Sequence, residues 1–482
     1  MNPTHDLRGM PSAVHTGKCP HGSQAPPARY RWPAFMAKMA IALLISAASA
    51  MAASGRPQKV QLSRTPDGVS ATFTTNPFID TTNPFFQSLG TNGRSCVTCH
   101  QPTESWSITP AGVQARFDET AGLDPIFRPN DGANCPTADV STVKARRSAY
   151  HLLLTKGLIR VSLTVPSAAE FRMVAVDDPY GCSTASELSV YRRPLPSTNL
   201  KFLSAVMWDG RETFPGKSLE EDLLNQAVAA TLGHAQASQA PTEAQLQQIL
   251  TFELGLFTAQ LVERDAGSLV LGGASGGPIQ LSKQEFYLGI NDPLGGNPTG
   301  APFNPEVFDL FTAWEDLDIG SPKAAARAAV ARGEQIFNSR PVAITEVAGL
   351  NDALNQPVIM GFCTTCHDTP NAGNHSLPVP LNIGVSDASR RTPDLPLFTL
   401  ECLATGQVVH TTDPGRALIT GKCADIGKIK GPILRGLSAR APYFHNGAAA
   451  TLMDVVEFYN TRFQLQLTPQ EMDDVVAFLQ AL

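Results

Sequence analysis

Two pentapeptides, Cys96-Val97-Thr98-Cys99-His100 and Cys363-Thr364-Thr365-Cys366-His367, constrain this chain more than any other feature. Both are C-x-x-C-H, the attachment signal of c-type haem. Two thiols three positions apart reach the two vinyl groups of one macrocycle, and the adjoining imidazole is then placed to bind its iron. A zinc ribbon or a thioredoxin-like redox pair does not require His directly after the second Cys. The sequence therefore predicts two covalently bound haem c groups, attached through Cys96, Cys99, Cys363 and Cys366 and ligated by His100 and His367. A core partly supplied by prosthetic groups suits a chain of 482 residues with 38 Gly and 38 Pro, which requires long turns between regular elements. Hydrophobic residues at 43% and charged residues at 17% exclude a largely disordered protein.

Attachment of haem to Cys takes place outside the cytoplasm, and the chain carries an independent signal for export. The apolar run Met39–Ala52 follows Lys38 and ends in the small-residue pattern Ala50-Met51-Ala52, which reads as a secretory signal cleaved after Ala52. It falls short of the roughly 20 apolar residues of a comfortable membrane span. The residues before Met36 are unlike a short basic leader, so the expected translation start is Met36 or Met39. Without residues 1–52 the chain has 32 Lys and Arg against 42 Asp and Glu, a net charge of −10. Nucleic acid and anionic membrane surfaces are poor partners for such a chain, and a charged partner should be basic. Eight Cys remain after export; the four outside the motifs suggest disulfides Cys135–Cys182 and Cys402–Cys423.

Helix signals flank the motifs. Ala324–Phe337 is a helix-forming run ahead of the second motif, and Thr468-Pro469-Gln470-Glu471 is a capping box leading into Val475, Val476, Phe478, Leu479 and Leu482. These two helices are expected to cross beside the haem. Asn83–Leu89 is a shorter equivalent before the first motif. Thr242–Arg264 reads as one amphipathic helix. Ala266–Pro305 is Gly/Pro-rich, with a short helix expected near Gln284–Leu288. The expected organisation is a signal segment 1–52, an N-terminal cytochrome c-like domain 53–264 with an insertion at about 107–192, a connection 265–305, and a C-terminal cytochrome c-like domain 306–482. The expected fold is mainly α, two cytochrome c-like domains with long loops, each binding one haem.

The order of landmarks resembles the diheme bacterial cytochrome c peroxidase family, which includes MauG-type enzymes. Those landmarks are CVTCH, RRPLPSTNLKFLSAVMWDGR, LLNQA, CTTCH and KGPILRGLSARAPYFHNGAAATLMDVVEFYN, and Lys430–Asn460 is the most specific part. The resemblance implies that peroxide reacts at the N-terminal haem while the C-terminal haem stores or relays electrons. The family's inter-haem Trp lies in W-D-G-R, which makes Trp208 the candidate relay.

The distal residues depart from that pattern. Peroxide cleavage needs an open iron position, a group that moves a proton between the two oxygens, and a polar donor for the leaving oxygen. The family supplies a Gln and, ten positions on, a Glu. Gln226 matches the Gln, but Gln236 stands where the Glu should be, and His234 lies two residues before it. Imidazole titrates near neutrality, so His234 is the candidate acid/base, with a sixth-ligand role or a solvated surface role as rival readings. Glu220 and Glu221 are reserve acids.

At the second haem the family's distal Met aligns with Tyr459, as in MauG-type enzymes, where a Tyr completes the coordination. A phenolate stabilises oxidised iron and lowers the potential relative to a thioether. Met360, Met453 and Met472 are the alternative ligands. Arg435 is a candidate propionate partner or a surface residue, and His445 shapes the haem edge. The family's Ca²⁺-binding Asn aligns near Pro194, so a calcium site is either absent or displaced to Asn199. The 107 residues between His100 and Trp208 exceed the compact peroxidases; this insertion would cover the first haem or shape a channel, and His151 within it is a further candidate ligand.

The resulting expectation is an exported, periplasmic diheme oxidoreductase reducing hydrogen peroxide, fed by a small cytochrome c or cupredoxin or by an oxidised substrate. The alternatives are a MauG-like oxidase of a protein or small molecule acting through high-valent haems, a non-catalytic diheme electron-transfer cytochrome, and an oxygenase.

Overall fold

A computed structural model describes residues 58–482, which lie within one compact unit. The export segment 1–52 and Cys19 fall outside the described residues. Strands β1 (Val60–Thr65) and β2 (Gly68–Thr74) form an antiparallel hairpin. Gly68 closes it: a Cβ there would sit 2.1 Å from the Val262 carbonyl oxygen, and its φ is +142°. The insertion contributes β3 (Ile159–Thr164), β4 (Phe171–Asp177) and β5 (Glu187–Arg192), with β3 and β5 paired antiparallel. Strand β6 (Leu256–Glu263) lies between β2 and the two-residue β7 (Gly267–Ser268), giving the order β1-β2-β6-β7. The second half adds the hairpin β8 (Val342–Thr345) and β9 (Val358–Gly361), and then β10 (Leu397–Cys402) and β11 (Val408–Thr411). Strand β10 pairs on one side with β11 and on the other with β4, so one sheet is shared between the insertion and the second half.

Six helices of eleven or more residues occur among the described residues: α1 (Pro110–Thr120), α2 (Leu219–Gly233), α3 (Glu243–Leu254), α4 (Pro322–Ser339), α5 (Leu452–Arg462) and α6 (Pro469–Ala481). Side-chain caps start each of them, and Ser218/Glu221, Thr242/Gln245, Thr451/Asp454 and Thr468/Glu471 form reciprocal capping boxes. Helices α4 and α6 span the two runs expected from the sequence, and they cross closely. A Cβ on Gly333 would lie 2.0 Å from the Asp474 carbonyl oxygen, so only Gly permits this approach. Arg332 fastens the crossing through a 2.7 Å ion pair to Asp474. Phe337 of α4 and Phe478 of α6 pack at 5.7 Å between ring centroids, and Phe337 lies 5.8 Å from the His367 ring. Gly333→Ala should therefore force the helices apart at a cost of about 1–3 kcal/mol, read as a lowered urea midpoint with unchanged slope.

The fold is less helical than expected, with about 30% helix and 17% strand. The excess strand comes from segments read as loops or helix. Thr242–Arg264 is not one helix: α3 ends at Leu254 with Gly255 as its cap, and Leu256–Glu263 turns into the central strand of the first sheet. There the strand pairs edge to edge with β2 while Phe257 and Ala259 are buried against Phe202, Leu281 and Ile433, and this tertiary environment overrides the helical period. The apolar run 150–165 likewise divides. A short helix, His151–Lys156, stops at Gly157 with φ +61°, and β3 follows. Residues 284–288 are not helical; the helical turn of that connection is Pro278–Leu281, which starts with Pro at its first turn.

The two expected disulfides are formed, with Cα separations of 5.7 Å for Cys135–Cys182 and 5.9 Å for Cys402–Cys423. Among the described residues no helix is long and apolar enough to cross a membrane.

Candidate functional site

Each C-x-x-C-H motif folds as one turn of 3₁₀ helix, Cys96–Thr98 and Cys363–Thr365. The His100 amide returns to the Cys96 carbonyl at 3.0 Å and the His367 amide to Cys363 at 3.2 Å, which gathers both thiols and the imidazole on one turn. His100 Nδ1 bonds the Trp106 carbonyl at 3.1 Å, and His367 Nδ1 bonds the Gly373 carbonyl at 2.6 Å. In each ring the proton is thereby fixed on Nδ1 and Nε2 is left to ligate. Burial lowers both imidazoles to about 4, so they stand neutral, as a metal ligand must. Trp106 is itself pinned by its indole N–H to Thr72 Oγ1 at 2.9 Å, tying the first motif to β2. The four motif thiols are free and half-buried, and burial pushes Cys96 and Cys366 up to about 12 and Cys363 to about 11.

One cavity joins the first motif to most of the residues singled out from the sequence. Cys96, Cys99, His100, Trp208, Gln226, His234 and Arg435 all line it. Trp208 donates its indole N–H to the Arg193 carbonyl at 2.7 Å and packs edge-on against His445 at 6.1 Å. His445 is buried and lies 3.5 Å from the Asp413 carboxylate. His234 follows α2 and bonds through Nδ1 to Asp131.

Four cations border the same cavity: Arg193, Lys430 and Arg435, which are buried, and Arg440, which is half-buried. Their donors reach only backbone carbonyls, such as Ala205 for Lys430 at 2.7 Å and Asn371 for Arg435 at 3.1 Å. Arg435 Nε and Nη2 and Arg440 Nε have no partner at all. Burial lowers Lys430 to about 7, Arg435 to about 9, and Arg193 and Arg440 to about 10. Arg192 shows the contrast: it is equally buried yet held by Asp209 at 2.5 Å and Asp413 at 2.7 Å. Buried charges are ordinarily paired, so this cavity lacks anions that a bound group must bring. Haem carries two propionates, and free thiols, neutral imidazoles and unpaired cations around one space fit it.

Around the second motif, Tyr459 of α5 sits against the thiols. Burial first, and then the neighbouring Cys366 and Cys363, push its phenol above the ordinary range. Met360 is 68% exposed on β9, and the Met472 sulfur takes the Asn460 amide at 3.5 Å. Of the other candidates, His151 is exposed and borders a separate recess with Cys135 and Tyr180. Glu221 is occupied in the cap of α2, and Glu220 is exposed. Asn199 uses both ends of its amide on the Thr258 backbone, at 2.9 Å each, so it acts as a strand clamp.

Sequence reasoning missed Asp131, Glu253, Lys430, Arg193 and Arg440. Glu253 of α3 lines the cavity beside Cys96, and burial raises its carboxyl to about 8. No local signal marks any of the five, because each gains its meaning from what surrounds it in space.

No family model matches the chain. Curated relatives do. A cytochrome-c peroxidase, IdrP2, of Denitromonas iodatirespirans is 35% identical over 132 residues, covering 25% of this chain and 36% of that protein. Its companion IdrP1 from the same organism is 30% identical over 192 residues, covering 36% and 44%. The cytochrome c551 peroxidase of Nitrosomonas europaea is 30% identical over 145 residues, covering 28% and 36%. The matches thus span less than half the length of each of these relatives. A crystal structure of a MauG-like protein associated with microbial copper homeostasis aligns over 87% of this chain and 93% of its own, at 15% identity and a TM-score of 0.36, which carries no argument. Two C-x-x-C-H turns, one of them opening on a cation-lined cavity, are a donor set that fits c-type haem. The curated relatives it matches, at modest identity and over part of their length, are cytochrome c peroxidases.

Proposed function

We propose that this chain is an exported diheme oxidoreductase that reduces hydrogen peroxide at the His100 site, with electrons relayed from the His367 site through Trp208. The observation that carries the reading is the single cavity shared by His100, Gln226, His234 and Trp208. Bound haem would supply iron for peroxide at the first site and an electron store at the second. The overall change is H₂O₂ with two electrons and two protons to two waters. His100 and His367 offer Nε2 to iron. His234 takes a proton from one peroxide oxygen and returns it to the other, while the Gln226 amide donates to the departing oxygen. Arg193, Lys430, Arg435 and Arg440 hold propionates, and the indole of Trp208 bridges the halves with its N–H kept on the Arg193 carbonyl. Residues 1–52 direct export. The electron donor is a small cytochrome c or cupredoxin with a basic face, complementary to the acidic chain.

A second reading, an oxidase of a protein or small molecule that uses the same residues, is favoured by the position of Tyr459 against the second pair of thiols. Titration of the fully oxidised, haem-loaded protein with stoichiometric peroxide, followed by absorption and EPR and repeated after one-electron reduction, separates the possibilities. Reaction only after reduction is the result expected for the peroxidase. Reaction of the oxidised form to a long-lived species favours the oxidase. Two low-spin haems inert in both states overturn both readings and leave an electron-transfer cytochrome.

A further inference from the structure

His234 is held at its backbone and at its ring by different parts of the chain. It caps the C-terminal end of α2, with its amide bonded to the Ala230 carbonyl at 2.8 Å. Its own carbonyl accepts the Asn92 amide at 2.8 Å and Arg94 Nη1 at 3.3 Å. Its ring Nδ1 meets Asp131 Oδ2. Asp131 belongs to the insertion, 103 positions earlier, and is buried. Its other oxygen bonds Arg94 Nη1, and Arg94 is anchored in turn on the Pro125 carbonyl at 2.8 Å and the Ile126 carbonyl at 2.6 Å. The Asp131 carbonyl accepts the Arg160 amide at 2.7 Å, so both its backbone and its side chain are fixed.

A buried carboxylate on one ring nitrogen of an imidazole sets the tautomer and orientation and stabilises the protonated ring. Nδ1 carries the proton toward Asp131, and Nε2 is the free nitrogen. The charged and titratable groups facing His234 are Asp131, Arg94 and, within the same cavity, His100. Burial would raise the Asp131 carboxyl, but the bond and charge of His234 and the Arg94 guanidinium outweigh it and hold the acid below its ordinary value. The end of α2 adds a favourable dipole for a cationic ring.

We propose that Asp131, supplied by the insertion, is the positioning residue of His234, and that the two form an aspartate–histidine dyad for proton transfer within substrate peroxide. This rests on the peroxidase reading of His234. The dyad takes one proton from the first peroxide oxygen and returns it to the second, which departs as water. No net proton stays on the protein, and the two electrons come from the donor named above. The insertion therefore supplies part of the site, and the family's missing Glu is replaced by a residue pair rather than by a single acid.

The test follows the His234 ring by NMR in the haem-loaded protein, reduced and bound to carbon monoxide so that both irons are diamagnetic, with His234→Gln for assignment. The pH profile of the second-order reaction with hydrogen peroxide is measured alongside. Asp131→Asn should lower the His234 titration midpoint by at least about one pH unit. It should move the acid limb of the rate profile down by the same amount and cut the plateau by about 10²-fold or more. Asp131→Glu should restore the midpoint and most of the rate. An unchanged midpoint in Asp131→Asn overturns the proposal, as does an Asp131→Asn/His234→Gln loss equal to the product of the single losses. If Asp131→Asn does not fold, the unsubstituted protein decides: ring ¹⁵N shifts that place the proton of neutral His234 on Nε2 rather than Nδ1 contradict a carboxylate partner at Nδ1. Failure of the protein to consume peroxide would remove the peroxidase reading, and the NMR midpoint would still report on the pair.

Discussion

His234→Ala should slow the reaction with hydrogen peroxide by about 10²–10⁴-fold, the range for loss of a positioned acid/base, with both haems still attached. The side chain is 39% exposed and its substitution leaves Asp131 paired with Arg94, so stability should change little. Stopped-flow absorption of the pre-reduced protein measures the rate, and added imidazole should restore part of it. The rival role, a sixth ligand to iron, predicts the opposite sign. Removal of a ligand would open the iron, convert a low-spin haem to high-spin, and speed the reaction. One variant thus separates the two readings.

Arg192→Ala should destabilise the protein by about 3–5 kcal/mol, the usual cost of stripping one partner from a buried ion pair. Arg192 lies at the end of β5 and is fully buried; Asp209 follows Trp208, while Asp413 comes from the second half. Its loss would leave two buried carboxylates facing an empty space. Urea unfolding with an unchanged slope measures the loss. The same group predicts an acid limb. Burial pushes the Asp209 carboxyl up, but Arg192 and Arg211 overcome this and hold it at about 2. A depressed folded-state value stabilises the protein above the ordinary carboxylate range, and this contribution is lost as pH falls from about 4 to about 2. It amounts to on the order of 2 kcal/mol. In Arg192→Ala the stability slope across that window should flatten, because Arg211 alone then opposes the burial of the carboxyl.

The two C-x-x-C-H motifs, the capped start of α6 and the α4–α6 crossing are legible in the sequence, because each depends on residues within a few positions or on one helical face. Strand β6 was not legible: Leu256–Glu263 continues the apolar pattern of α3, and only the β1–β2 hairpin, arriving from near position 70, makes it a strand. Strand β4 is a similar case, since its partner β10 lies more than 200 positions downstream. The site divides along the same line. The cysteines and histidines of the C-x-x-C-H motifs announce themselves by spacing, whereas Asp131 looks like any turn aspartate until His234 is placed beside it. Lys430 and Arg193 look like ordinary surface cations; that they are buried with only backbone carbonyls for partners is a property of the packed molecule alone.

The shared β4–β10 sheet also orders events in time. Synthesis delivers the N-terminal half first, and the Cys96 turn needs only its own neighbours to form, whereas β4 lacks its partner β10 until residues 397–402 have emerged. Closing a loop that long is entropically slow compared with forming a turn. The Cys96 turn can therefore form well before that shared sheet closes. The half-built protein meanwhile carries an unpaired strand edge, which exposes it to aggregation until the last fifth of the chain arrives.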